Sequence, residues 1–241
     1  LSMVASYSVT GVDSLTMMAI PFFILSGVVM SVGGLARRLV DVAASLVGWM
    51  MGGLGAVVSL ASMFFGAISG SSLATVSCIG GIMVPEMQKK GYDLGYSAVF
   101  TACAGTIGAV IPPSIPLVVY GVCTSTSIGD LFLGGIFPGV MIGIALIISN
   151  YIVCKKKGYV GAERKSGREI LKAVWEAKWA LFAPVIILGG IYSGIFTPTE
   201  ASVVSVVYST IVALFIYKEI TWKDLYNAIV GAAVTNGTTT F

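Results

Sequence analysis

Long uncharged stretches alternate along the chain with short charged clusters. The uncharged runs cover 14–36, 42–85, 94–129, 131–154, 179–199, 201–217 and 225–241, and about 20 apolar residues suffice to cross a bilayer as a helix. The pattern predicts an all-α polytopic membrane protein. Two runs exceed what one crossing needs, 42–85 and 94–129, and each is interrupted by residues that stop helices.

The first interruption is FFGAISGSSLATV, residues 64–76. Parity alone does not say whether 42–85 crosses twice or dips in and returns, but length separates the two. From Gly52-Gly53 to Phe65, and again from Ser71 to Pro85, each arm is roughly 21 Å of helix against a hydrocarbon core of about 30 Å. A re-entrant hairpin is predicted, with Gly66, Ser69, Gly70, Ser71 and Ser72 at its tip. Backbone groups freed there cannot face lipid and must meet protein, ions or water. A small-residue packing patch between two ordinary spans is the alternative. The second interruption is AGTIGAVIPPSIP, residues 104–116. Pro112 and Pro113 remove donors and push Ile111 out of the helical region, so carbonyls around Gly108–Pro113 lose their helical partners. Two unwound segments at membrane depth are what secondary transporters use to hold ions and solute near the midplane.

Charge orients the chain. Residues 154–178 carry eight of the fourteen Lys and Arg against three acids, which places this loop in the cytoplasm. Counting outward from it puts Arg37 and Arg38, Lys89 and Lys90, and Lys218 and Lys223 on the same side. The acids Asp13, Asp41, Glu86, Asp93, Asp130 and Glu200 fall near predicted membrane edges or turns. Within the basic loop, apolar residues at 170, 171, 174 and 175 have a helical spacing suited to lying along the cytoplasmic interface.

Composition narrows the chemistry. The chain of 241 residues is 56% hydrophobic and 10% charged, with a net charge of +3; the clustering of its basic residues between apolar runs argues for membrane orientation and against nucleic-acid binding. Four dispersed cysteines, no CxxC and no histidine indicate neither a zinc site nor a disulfide framework. Carbonyls and hydroxyls without a carboxylate make a neutral cage suited to Na⁺ and not to a divalent metal. Without histidine, Ser69 or Ser71 has no ordinary base for a serine protease. An aspartyl protease built on Tyr92-Asp93 and SIGD at 127–130 fails because the topology sets Asp93 and Asp130 at opposite edges.

Five stretches in one order carry a family resemblance: IPFFILSGVVMSVGGLARRL (20–39), FFGAISGSSLATVSCIGGIMVPEMQKKGY (64–92), GTIGAVIPPSIPLVVYG (105–121), SIGDLFLGGIFPG (127–139) and GIFTPTEAS (194–202). The chain resembles the large membrane subunit of a TRAP transporter, the tripartite ATP-independent periplasmic class, DctM-like and related to the ion transporter superfamily. The resemblance implies an elevator-type permease of the bacterial inner membrane. It also implies a Na⁺ gradient as driving force, a small four-helix membrane subunit and a periplasmic substrate-binding protein as partners, and a carboxylated solute such as a sialic acid or a C4-dicarboxylate. Carried over by motif, the sodium site falls on Ser69, Ser71, Gly108, Ile111 and Pro113, largely through backbone oxygens. Ser72, Thr75, Ser114 and Ser127 are the candidate substrate contacts.

The predicted organisation is a first repeat over 1–153 and a basic connector over 154–178, followed by the start of an inverted second repeat over 179–241 that stops before its hairpin. The first repeat comprises a span at 14–36, an arm helix at 37–50, a re-entrant hairpin at 53–87, a broken helix at 94–122 and a span at 131–153. Beginning at Leu1 without methionine and ending within an apolar run, the sequence reads as part of a longer protein. A channel lined by the two broken segments, or an antiporter of the same superfamily without a binding protein, is the alternative function.

Overall fold

The computed structural model describes residues 16–162 and 164–240. Asp13, the first residues of the predicted 14–36 span and Phe241 lie outside them. Helices account for nearly all of the described chain, and no strand occurs among the described residues. α1 (Ala19–Val32) ends at Gly33-Gly34, where Gly34 has φ +73°, and the chain turns by 69° into α2 (Leu35–Val47). α2 is sharply amphipathic and buries Leu35, Leu39, Val42 and Ala43, so it packs as an arm across its neighbours with Arg37 and Asp41 outward.

α3 (Gly53–Ser69) and α4 (Ser72–Lys89) form an antiparallel pair whose turn is Gly70-Ser71. They are 17 and 18 residues long, a few residues more than the arms predicted from sequence, yet at roughly 25–27 Å each still falls short of the ~30 Å core. α5 (Leu94–Gly105) runs into a 3₁₀ turn, Thr106–Ala109. The chain is then non-helical until α6 (Ile115–Thr124) begins, with the Pro112–Pro113 peptide cis.

α7 (Ile128–Lys157) starts ahead of the predicted span because Ser127 caps it, its Oγ accepting from the Asp130 N–H. It runs for 30 residues through Pro138 and stops at Gly158, φ +75°. α8 (Gly167–Glu176) bends by 60° into α9 (Lys178–Tyr192). α10 (Pro198–Ile211) continues as a π-helical stretch, Val212–Ile216, and α11 (Trp222–Thr240) closes the described chain. Among the described residues, Ile128–Lys157 and Pro198–Ile216 are long and apolar enough to cross a membrane singly, and the two bent pairs qualify if each is one span.

The largest buried cluster joins α1, α2, α3 and α4 around Phe65, Met30, Leu39 and Ile79. A second, around Phe23, Phe132 and Ile187, joins α1 to α6, α7 and α9. α1 is thus shared by both, and it also lies along α10, where the Ser26 and Ser205 hydroxyls hydrogen-bond inside the core.

The feet of the hairpin are tied down by a polar and aromatic network. Asn150, buried in the middle of an apolar helix, donates from Nδ2 to the Gly52 carbonyl at 2.8 Å and accepts from Tyr96 Oη at 2.9 Å. Tyr159 stacks on Tyr92 with centroids 4.1 Å apart, and its hydroxyl accepts from the Asp93 N–H. Arg38 pairs with Glu219 at 2.6 Å and lies over the Tyr217 ring. Of the cysteines, Cys154 is buried and Cys78 partly so, whereas Cys103 on α5 and Cys123 on α6 are exposed.

Candidate functional site

At the tip of the hairpin, α3 ends because Gly70 adopts φ +63°, its N–H donating to the Gly66 carbonyl. The next residue, Ser71, is extended and caps α4, with its Oγ accepting from the Ala74 N–H. One helix therefore stops and another starts within two residues, leaving the last carbonyls of α3 and the first N–H groups of α4 without helical partners. The broken segment repeats this arrangement. Ser114 is extended and caps α6, its Oγ accepting from Leu117 N–H and its hydroxyl donating to the Ala109 carbonyl.

The two breaks meet. The Ile115 N–H donates to the Gly70 carbonyl at 3.1 Å. A methyl group on Gly70 would lie 2.5 Å from the Pro113 carbonyl oxygen, one on Gly66 would lie 2.8 Å from Gly108 Cα, and one on Gly108 would lie 3.0 Å from the Ser71 carbonyl oxygen and collide with Thr75 Oγ1. Only glycine allows these approaches. Thr75, fully buried, donates from Oγ1 to the Ser71 carbonyl at 2.8 Å and stands 3.3 Å from Ser69 Oγ, also fully buried. From the far side, α1 closes the group, since a methyl on Gly27 would stand 3.0 Å from Ser69 Cβ.

The structure thus gathers Ser69, Ser71, Gly108 and Pro113, with Thr75, around one point. Ile111, between Gly108 and Pro113 in the chain, has its side chain against Gly139 of α7. Ser72 lines a cavity of about 140 Å³ beside the tip, together with Gly70, Ser71, Leu73, Ile115 and Pro116. Ser114 is fully buried next to it. Ser127 is elsewhere: it caps α7 and lines a separate cavity of about 580 Å³ with Ser125, Thr126, Phe196 and Thr197. The sequence places Gly66 at the tip, but Gly27 and Asn150 are not among the residues singled out there, although a glycine in each facing segment is the signature of a close approach.

Among the described residues no cluster of His, Cys, Asp or Glu could hold a metal ion. The donors at the tip are neutral: peptide carbonyls plus the hydroxyls of Ser69 and Thr75. At the other end of α4, Glu86 is held below the usual carboxylate range by its 2.7 Å hydrogen bond from Lys89, and neither lies near the tip.

The sequence matches, over residues 1–241, the family model described as tripartite ATP-independent periplasmic transporter, DctM component. The chain belongs to the DctM family. Its relatives include the C4-dicarboxylate TRAP transporter large permease protein DctM of Pseudomonas aeruginosa, 50% identical over 85% of this chain and 48% of the relative. The isethionate TRAP transporter permease protein DctMQ of Oleidesulfovibrio alaskensis is 47% identical over 97% of this chain and 37% of the relative. The sialic acid TRAP transporter permease protein SiaT of Haemophilus influenzae is 39% identical over 95% of this chain and 37% of the relative. This DctM chain therefore spans about two-fifths to one half of the length of those relatives. Its apolar helices and family membership make it a multi-pass membrane chain, in which the predicted polytopic all-α class stands.

Proposed function

We propose that this chain forms part of the large permease subunit of a Na⁺-coupled secondary transporter in the bacterial inner membrane. It works with a small four-helix membrane subunit and imports an organic anion, most simply a carboxylate, handed over by a periplasmic substrate-binding protein. The observation that carries the reading is the meeting of the hairpin tip with the unwound segment 110–114. Neutral oxygens from both sides converge there beside a cavity onto which two helices open their N-termini.

The chemistry follows from that arrangement. A monovalent cation asks for several neutral oxygens and no fixed carboxylate, and Ser69, Ser71, Gly108 and Pro113 offer them from two separate segments. Bound there, the ion links hairpin to broken helix. The N-terminus of α4 presents the Ser72 and Leu73 N–H groups to the cavity. α6, whose Ile115 and Leu117 N–H groups are bonded to the Gly70 carbonyl and Ser114 Oγ, adds only the partial positive charge of its dipole. Ser72 and the start of α4 therefore suit a carboxylate or another compact anion. Cation and anion sites a few residues apart strengthen one another electrostatically, a simple physical origin for coupling. Hairpin, broken helix and their glycine contacts then form the unit that moves in an elevator step, with the arm helix α2 as its link to the static part.

The solutes in the relatives' names, a C4-dicarboxylate, isethionate and sialic acid, share a negative charge and little else. This supports an organic anion as the substrate class. The test is uptake of a panel of labelled organic anions into proteoliposomes holding the full-length permease and its small subunit, with and without a Na⁺ gradient and binding protein. Uptake that needs both supports the proposal, and flux down the solute's own gradient without either refutes it in favour of a channel.

A further inference from the structure

We infer that α8 and the tryptophans around it form a docking surface for anionic phospholipid headgroups of the cytoplasmic leaflet. The chain has four tryptophans, and all of them are exposed: Trp49 by 45%, Trp175 by 68%, Trp179 by 38% and Trp222 by 70%. Buried tryptophan is the rule in a packed core, so four exposed indoles need an environment that is apolar on one side and wet on the other, which is the membrane interface. Contacts place them at one end of the molecule. The Ala162 N–H donates to the Gly48 carbonyl, tying the basic connector to the loop that holds Trp49. Tyr217 Oη donates to the Glu176 carbonyl next to Trp175, and Glu219, three residues before Trp222, pairs with Arg38.

Cations accompany these rings. The Arg164 guanidinium lies 5.0 Å from the Trp49 centroid, and Lys178 Nζ lies 3.8 Å from that of Trp175 and 5.4 Å from that of Trp179. Along α8, Arg168, Leu171, Lys172 and Trp175 follow the i, i+3, i+4, i+7 spacing of a single face. That face is turned outward, with Leu171 exposed by 69%, while Ala173 and Val174 are partly covered and α8 packs against α2.

Apolar and cationic side chains sharing an exposed face suit a helix lying in the headgroup plane. The charge then chooses the lipid. With eight cations against three acids, residues 154–178 carry a net charge of +5, a concentration that repels itself unless a negative surface faces it. Each basic side chain near an anionic leaflet is attracted measurably, and the aromatic rings hold them at the right depth. The inference rests on the membrane placement of this family and not on sodium coupling, so it stands even if transport proves to be channel-like.

The experiment uses the full-length permease with its small subunit in mixed micelles, and counts phosphatidylglycerol against phosphatidylcholine retained, by native mass spectrometry. Wild type should retain phosphatidylglycerol preferentially. The triple variant Arg168→Gln, Lys172→Gln, Lys178→Gln should lower that preference on the order of tenfold or more, while Lys89→Gln with Lys90→Gln, at the foot of the hairpin, should leave it unchanged. Equal retention of the two lipids by wild type overturns the inference, as does an equal loss in the control pair. Should the triple variant fail to insert, a photoreactive phosphatidylglycerol added to wild type decides: crosslinks within 164–179 support the surface. Crosslinks only elsewhere in this chain, or only to the small subunit, overturn it.

Discussion

Replacing Gly66 by alanine tests the site at its tightest point. The added methyl would stand 2.8 Å from Gly108 Cα and 3.2 Å from the Gly108 nitrogen, whereas carbons in contact sit near 3.5–4.0 Å. Both obstacles are backbone, so no side chain can swing aside. Hairpin and broken segment must part by about 1 Å, at a cost of ~1–3 kcal/mol for overpacking, offset by up to ~1 kcal/mol because alanine favours the helix over glycine. Folding should therefore suffer little. The oxygens contributed by the two segments, however, would no longer reach a common ion, and a loss of ~1.4 kcal/mol in ion binding raises the half-saturating Na⁺ concentration about tenfold. The assay is a Na⁺ titration of uptake by the full-length transporter in proteoliposomes, paired with thermal unfolding in detergent. Gly81→Ala is the control: it lies in α4 of the same hairpin, and its added methyl meets nothing within 4 Å. Unchanged Na⁺ activation in Gly66→Ala, or an equal change in Gly81→Ala, refutes the reasoning.

Other outcomes follow from the same contacts. Thr75→Val keeps the shape but removes the donor to the Ser71 carbonyl and the neighbour of Ser69 Oγ; a loss of ~1–3 kcal/mol and weaker Na⁺ activation are expected, both restored in Thr75→Ser and read by unfolding and uptake. Asn150→Leu should lower stability by about 1–2 kcal/mol, because it removes two hydrogen bonds, one to the Gly52 carbonyl, which keeps the Gly55 and Ala56 N–H groups, and one from the Tyr96 hydroxyl, and an unaltered unfolding midpoint would contradict that. Bulky substitution of Ser69 or Ser71, or Pro113→Ala, should change Na⁺ dependence more than membrane insertion, as checked by uptake against the amount of protein inserted.

What the sequence made legible is chiefly where helices can and cannot run. A glycine-serine run and a proline pair act on the backbone of their own neighbourhood, so the stops near 70 and 110–114 are readable without knowing what lies opposite. The helical membrane class is readable for the same reason, since apolar run length is a local property. Partnerships are not. Nothing in the spacing says that Gly66 faces Gly108, that Gly27 seals the group from α1, or that Ser26 meets Ser205 across 179 positions. Arg38 illustrates the point: the cluster rule reads it as a topogenic charge at the headgroups, but it also finds Glu219 and Tyr217. Ser127 shows the converse, a hydroxyl next to a suggestive motif that turned out to cap α7 far from the hairpin tip. Asn150 could have been noticed as the one amide inside the uncharged 131–154 run, where a polar side chain needs a partner.

The distribution of the cysteines has a practical consequence. Cys103 and Cys123 are exposed and stand on either side of the unwound segment, one on α5 and one on α6, whereas Cys154 is enclosed by the network at the hairpin's feet. Thiol-directed spin labels would attach to that pair first, without any engineered residue within this chain. A distance distribution between them, recorded at rising Na⁺ and then with solute, would turn the broken helix into its own ruler. It would show whether the two halves straighten, close or stay fixed as the ion arrives.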